Sequence, residues 1–195
     1  YEVGLKSNLM DGQVRLALDA FYYDYTNLFN SASGADGNFV VATNDAEVYG
    51  LEGEVTARIT EKLDIFGNFG FQKGEYLGVD PNLAGVVVGG DLQRLPEFNA
   101  QLGFTYVQPV SNEWNARVTA NYNYSDSHFT NLQNSPLAKS GTIDLVTAAI
   151  NFEREDEKLS FGLSCRNCLD DTYISQSLDF SGLGFLTVYA GEPAT

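Results

Sequence analysis

The run Glu47 to Ile59, EVYGLEGEVTARI, constrains the fold more than any other part of this 195-residue chain. Every second residue from Tyr49 gives Tyr49, Leu51, Gly53, Val55, Ala57 and Ile59, while Val48, Gly50, Glu52, Glu54, Thr56 and Arg58 lie between. Side chains of an extended chain alternate between its faces, so this is a strand with an uncharged apolar side and a charged side. Strands of soluble domains run to ~5 to 6 residues, whereas crossing a bilayer takes roughly 9 to 11 tilted residues. This stretch is long enough to cross.

The same rule recurs along the chain. Tyr1, Val3 and Leu5 alternate with Glu2, Gly4 and Lys6 before the hairpin signal Asp11-Gly12. Val14, Leu16, Leu18, Ala20 and Tyr22 oppose Gln13, Arg15, Ala17, Asp19, Phe21 and Tyr23. Leu63 to Phe71, Phe98 to Tyr106, Trp114 to Ser125, Val146 to Phe152 and Leu159 to Cys165 repeat the pattern, although Ile143 and Leu145 fall on the polar side. Short turns at Asp11-Gly12, Glu61-Lys62, Pro109 to Glu113 and Asp156-Glu157 alternate with long polar stretches at Asn27 to Ala46, Leu77 to Pro96, Asp126 to Gly141 and Ile174 to Gly191. These long stretches read as loops.

The sum is all-β: about eight long antiparallel, up-and-down strands with short turns at one end and long loops at the other, as in outer-membrane barrels with periplasmic turns and extracellular loops. Tyr22, Tyr23, Tyr25, Phe71, Tyr122 and Tyr124 are expected at the outer ends, and Phe98, Trp114 and Phe152 at the inner ends, where aromatic girdles form. The apolar residues Leu51, Val55, Ile59, Trp114, Val118 and Tyr122 are expected to face lipid, and Arg15, Asp19, Glu52, Glu54, Arg58, Asp64 and Arg117 the lumen. A soluble β-sandwich also alternates, but on strands about half this length and with a solvent face open to Lys.

Composition agrees. With Lys+Arg 11 against Asp+Glu 26, the net charge of -15 argues against nucleic acid, whose binding rests on Lys and Arg neutralising phosphates. The 11 Tyr and 13 Phe are too many for a disordered acidic chain. No run of some 18 apolar residues exists, which excludes a transmembrane helix but not spanning strands. Tyr1 enters a strand pattern without a basic region and apolar core, as in a mature or truncated chain.

Five stretches resemble the C-terminal part of the barrel of TonB-dependent outer-membrane receptors: Ala20 to Tyr25, Asn44 to Glu52, Arg94 to Asn99, Asn167 to Tyr173 and Gly191-Glu192-Pro193. The resemblance implies that residues 1–195 are a single partial barrel domain, about the last third of some 22 strands, without plug, TonB-engaging segment or closing strand. It implies a bacterial outer-membrane location among lipid and lipopolysaccharide. It also implies uptake of a ferric siderophore, cobalamin or saccharide powered by TonB acting through the plug, with no cofactor. Ligand contacts in such receptors come mainly from loops, which points to the aromatic loop residues Phe29, Phe39 and Phe129. An alternative of a different class is a self-contained small barrel acting as an adhesin or structural protein, since eight strands can close one. It requires the first strand to bond the last.

Chemistry is sparse. Cys165 and Cys168 form C-x-x-C without the βαβ setting of a redox site, and only His128 could add a zinc ligand. A disulfide suits an oxidising compartment, but residues three apart on a regular strand point to opposite faces, so a bridge needs a bulge or turn at Arg166-Asn167. Two free thiols are the alternative. Asp126-Ser127-His128 holds the only His but no nucleophile elbow, so an enzyme is the weakest reading. Gly89-Gly90 and Gly182 to Gly184 precede no helical pattern and read as loop glycines. Asp36-Gly37-Asn38 and Asp170-Asp171 read as turn chemistry rather than calcium sites. The lumen charges can touch a plug or solute, or simply pair across strands.

Overall fold

The computed structural model describes residues 1–33, 38–156, 158–180 and 183–195. Strands β1 (Glu2–Leu9), β2 (Val14–Ser33), β3 (Phe39–Thr60), β4 (Leu63–Gly78), β5 (Phe98–Pro109), β6 (Trp114–Ser125), β7 (Ile143–Arg154) and β8 (Ser160–Cys165) form one antiparallel sheet in chain order. A separate hairpin follows, made of β9 (Ile174–Phe180) and β10 (Phe185–Ala190).

Directly paired residues share a face, so the register carries the alternation from strand to strand. Leu16, Val55, Gly67, Leu102, Tyr122 and Val146 form one row, and Asp19, Glu52, Gly70, Asn99, Ser125 and Ile143 another. All six residues expected on the apolar side therefore share one face, and all seven expected charges share the other. Among the described residues no second sheet covers the apolar face: Leu51 is 48% exposed, Leu102 62% and Leu163 78%. A sandwich would have hidden them. Nor does β1 pair with β8, so the sheet is open and this chain does not by itself form the small closed barrel.

Four expectations are corrected. Asn27 to Ala46 is a tall hairpin rather than a loop: β2 continues to Ser33 and β3 starts at Phe39, giving strands of 20 and 22 residues. Asn27, Asn30 and Ser31 favour turns individually, but ladder pairing and burial of Ala32, Ala42 and Ala46 outweigh propensity. A bulge between Tyr25 and Leu28 interrupts the ladder, where Asn27 takes φ 59° and its N–H donates to Asp45 Oδ1 at 3.1 Å. Ile174 to Gly191 likewise holds β9 and β10. Phe98 belongs to the outer end, because β5 follows a long loop, and it pairs with Phe71 and lies 5.9 Å from Tyr124. At the other end Trp114 and Phe152 both pack on Phe161, with ring centroids 5.6 and 5.2 Å apart. Finally, β8 has only 6 residues, after which the chain turns at Arg166.

Candidate functional site

Above Phe71 and Phe98 the polar face of the wall becomes apolar, and the loops fold onto that face. Residues 42, 44, 46 and 48 of β3 lie on the same side as Glu52, and there Ala42, Ala46 and Val48 join Tyr76 of β4 in a core completed by Leu83, Val86, Leu92 and Leu132 from the loops. Tyr76 is 1% exposed. The loop 79–97 runs back beside the upper part of β4: Tyr76 N–H donates to Gly90 O at 3.1 Å and Gly89 N–H to Tyr76 O at 2.8 Å. The second loop is stitched to the first where Arg94 N–H donates to Phe129 O at 2.7 Å. Asp80 N–H reaches Asn44 Oδ1 at 2.9 Å, tying the loop to the tall hairpin.

Two cavities open among these segments. One, of about 380 Å³, lies between the tip of β2, residues 93–94, residues 130–133 and β9. Its lining is hydroxyl- and amide-rich, including Gln93, Gln133 and Gln176 with Arg94. The other, of about 400 Å³, is bounded by Lys73, Asp91, Glu97, Asp126, His128 and Lys139 among others. Both are suited to non-covalent binding.

The expected loop aromatics do not converge. Phe29 pairs with Thr43, on the side opposite the loop core, and is 77% exposed. Phe129 lines the second cavity with Lys139 Nζ 5.3 Å over its ring. The side chain of Phe39 lies outside the described residues, as do Asp36-Gly37, Glu157 and Gly182. His128 forms no triad: its Nδ1 lies 3.1 Å from the Asp126 carbonyl and 3.2 Å from Ser140 Oγ, and the Asp126 carboxylate accepts the Tyr124 hydroxyl at 2.7 Å. Asp170 and Asp171 carboxylates accept Ala194 N–H at 3.2 Å and Asp144 N–H at 2.9 Å, so they tie distant segments together rather than making the local turn bonds expected. Cys165 and Cys168 are bridged, and the required turn is there, with Asn167 at φ 45°.

The charges on the polar face divide. Arg58 pairs with Asp64 at 3.0 Å and Arg117 with Glu153 at 3.2 Å. Among the described residues no salt bridge reaches Asp19, Glu52 or Glu54, and these three line a cavity with Asn68, Gln72 and Asn99. Arg15 makes no salt bridge either. In the β7–β8 turn, the hydrogen bond from Arg154 holds the Asp156 carboxyl down at about 2, against an ordinary 3.8. Sequence reasoning missed the loop core and the polar contacts of β9. The one legible signal was Val48, an apolar residue on a charged face.

An open, in-register wall of long alternating strands, with loops folded over one face at one end, defines a piece of a membrane β-barrel. Residues 1–168 match the family described as TonB dependent receptor-like, beta-barrel, and the chain belongs to that family. It is a family of receptors and transporters, not of enzymes. The fold is similar to the ferric yersiniabactin uptake receptor FyuA from Yersinia pestis, with TM-score 0.79 and 12% identity over 99% of this chain and 28% of that one. It is also similar to the siderophore receptor PiuA from Acinetobacter baumannii, with TM-score 0.73 and 17% identity over 99% and 26%. The ferric-catecholate import receptor Fiu from K12 E. coli gives 0.68 and 22% over 99% and 26%. These likenesses show the fold, and the chain spans about a quarter of the length of such structures.

Proposed function

We propose that residues 1–195 are one partial barrel domain in the wall of a bacterial outer-membrane receptor of about 22 strands, which takes up a scarce ligand using energy delivered by TonB to a plug. The observation that carries this is the register-coherent division of faces. One face holds no charge between its end rows, as a lipid and lipopolysaccharide contact requires, and the other is polar and covered by loops at one end only. Leu51, Val55, Ile59, Trp114, Val118 and Tyr122 then meet lipid, and Arg15, Asp19, Glu52, Glu54, Arg58, Asp64 and Arg117 the lumen. The ligand is a ferric siderophore, cobalamin or a saccharide, and the similarity in fold to a siderophore receptor, a ferric-catecholate import receptor and a ferric yersiniabactin uptake receptor favours the first. Phe129 is a ligand contact in this reading, whereas the outward placement of Phe29 weighs against its being one.

The test is uptake in the organism. A deletion of the intact gene is grown with each candidate ligand as sole iron, cobalamin or glycan source, beside a tonB deletion. Loss of growth on one ligand in both strains is expected. Growth indistinguishable from the parent on every ligand refutes the reading.

A further inference from the structure

The β9–β10 hairpin forms no ladder with the wall. It docks on the loop at Thr130-Asn131 through side chains: Thr130 Oγ1 lies 2.7 Å from Ser177 Oγ, and Asn131 Nδ2 donates to Asp179 Oδ2 at 2.8 Å. In that position β9 forms one side of the 380 Å³ cavity. These contacts are made by β9, and the two arms that carry the hairpin are anchored separately.

One side chain reaches both arms. Asn167, 5% exposed, donates from Nδ2 to Asp171 O on the outgoing arm and to Glu192 O on the returning arm, both at 2.9 Å, while Oδ1 accepts Asp171 N–H at 2.9 Å. Both amide hydrogens and the carbonyl are thereby used, and this one side chain joins the two arms of an excursion of about twenty residues, beside the Arg166–Thr195 backbone pair and the Asp170 carboxylate that accepts Ala194 N–H. Nearby, Gly191 N–H donates to Tyr173 O at 2.8 Å, and a Cβ at Gly191 would come within 2.1 Å of the Tyr173 ring. To reach both arms Asn167 must hold φ 45°, in the left-handed region that Asn tolerates better than most residues. The Cys165–Cys168 bridge closes the chain around that residue, and Cys168 N–H anchors the turn to Val146 O of β7 at 2.8 Å.

We infer that Asn167 is a positioning residue that latches the β9–β10 hairpin over the cavity, and that the Cys165–Cys168 disulfide serves to hold Asn167 in its latching conformation. This assigns the C-x-x-C pair a mechanical role and does not depend on which ligand is carried.

The test is hydrogen exchange on the complete receptor in lipid nanodiscs, comparing amides of 174–190 with those of β6 and β7 as the folding control. Asn167→Gly keeps the backbone conformation and removes the latch. Asn167→Asp keeps the acceptor and removes both donors. Each is expected to speed exchange of 174–190 by about tenfold or more and to leave β6 and β7 unchanged. The double variant C165S/C168S is expected to speed the same amides, and adding Asn167→Gly to it should give no more than Asn167→Gly alone. Unchanged exchange in both Asn167 variants overturns the latch. Additive effects of the disulfide and Asn167 variants overturn the link between them.

Discussion

Replacing Val118 with Arg gives the sharpest test of the face assignment. Val118 pairs with Tyr106 and Ile150 on the apolar face, four positions from Trp114 and four from Tyr122. At ~3.3 Å per residue, four positions are about 13 Å of strand, and with a tilt of about 40° they correspond to roughly 10 Å of depth. Val118 thus lies near the centre of an apolar band about 25 Å tall. An Arg there should cost ~2 to 4 kcal/mol of folding free energy. Thr119 is the next residue, pairs with Thr105 and Ala149 on the polar face, and should accept Arg at a cost of less than about 1 kcal/mol. The two variants differ by one position in sequence and hardly in depth, so only the side of the wall separates them. Urea titrations of the full-length receptor folding into bilayers measure both. Equal losses would refute the division into lipid and lumen faces.

Three further outcomes follow from local packing and charge. Tyr76→Ala removes the largest buried side chain of the loop core and should loosen the loop 79–97 by ~3 to 5 kcal/mol; limited proteolysis should cut that loop faster while the wall stays intact. Asp24, Glu47, Glu75 and Asp91 stand directly opposite one another across neighbouring segments. Glu75→Gln should relieve this row and stabilise the tall hairpin by ~0.2 to 1 kcal/mol, read as a gain in denaturation midpoint over the parent that is larger at low salt than at high salt. In the β7–β8 turn the folded pKa of Asp156, about 2, lies below its ordinary 3.8, so its contribution is full above about pH 4 and is lost as pH falls through 2. The stability difference between the parent and Asp156→Asn should therefore shrink over that window, and a difference that grew on acidification would contradict the sign.

Much of this architecture is legible in the residues because the period of two is strict where one face is uniformly apolar and the other polar. Val118, Val55 and Leu51 take the side expected, and a slip of one residue in any strand would have reversed them. The upper third behaves otherwise. There neither face meets a single medium, so Asn27 to Ala46, read as a loop, forms two strand extensions whose stability comes from loops packed against Ala42, Ala46 and Val48. The same difference explains Phe98: its neighbours in sequence allow either end of a strand, and only the pairing with Phe71 places it.

By itself the sequence determined the eight-stranded sheet, which residues share a face, and the family, since alternation and short motifs are local quantities. Only the tertiary structure decided which carboxylates pair, that Phe29 and Phe129 part company, that Cys165 and Cys168 close a turn, and that Asn167 ties both arms of a hairpin. The Arg117–Glu153 pair spans 36 positions and the Asn167–Glu192 bond 25, and no local pattern records which partner a side chain will find once the chain has folded.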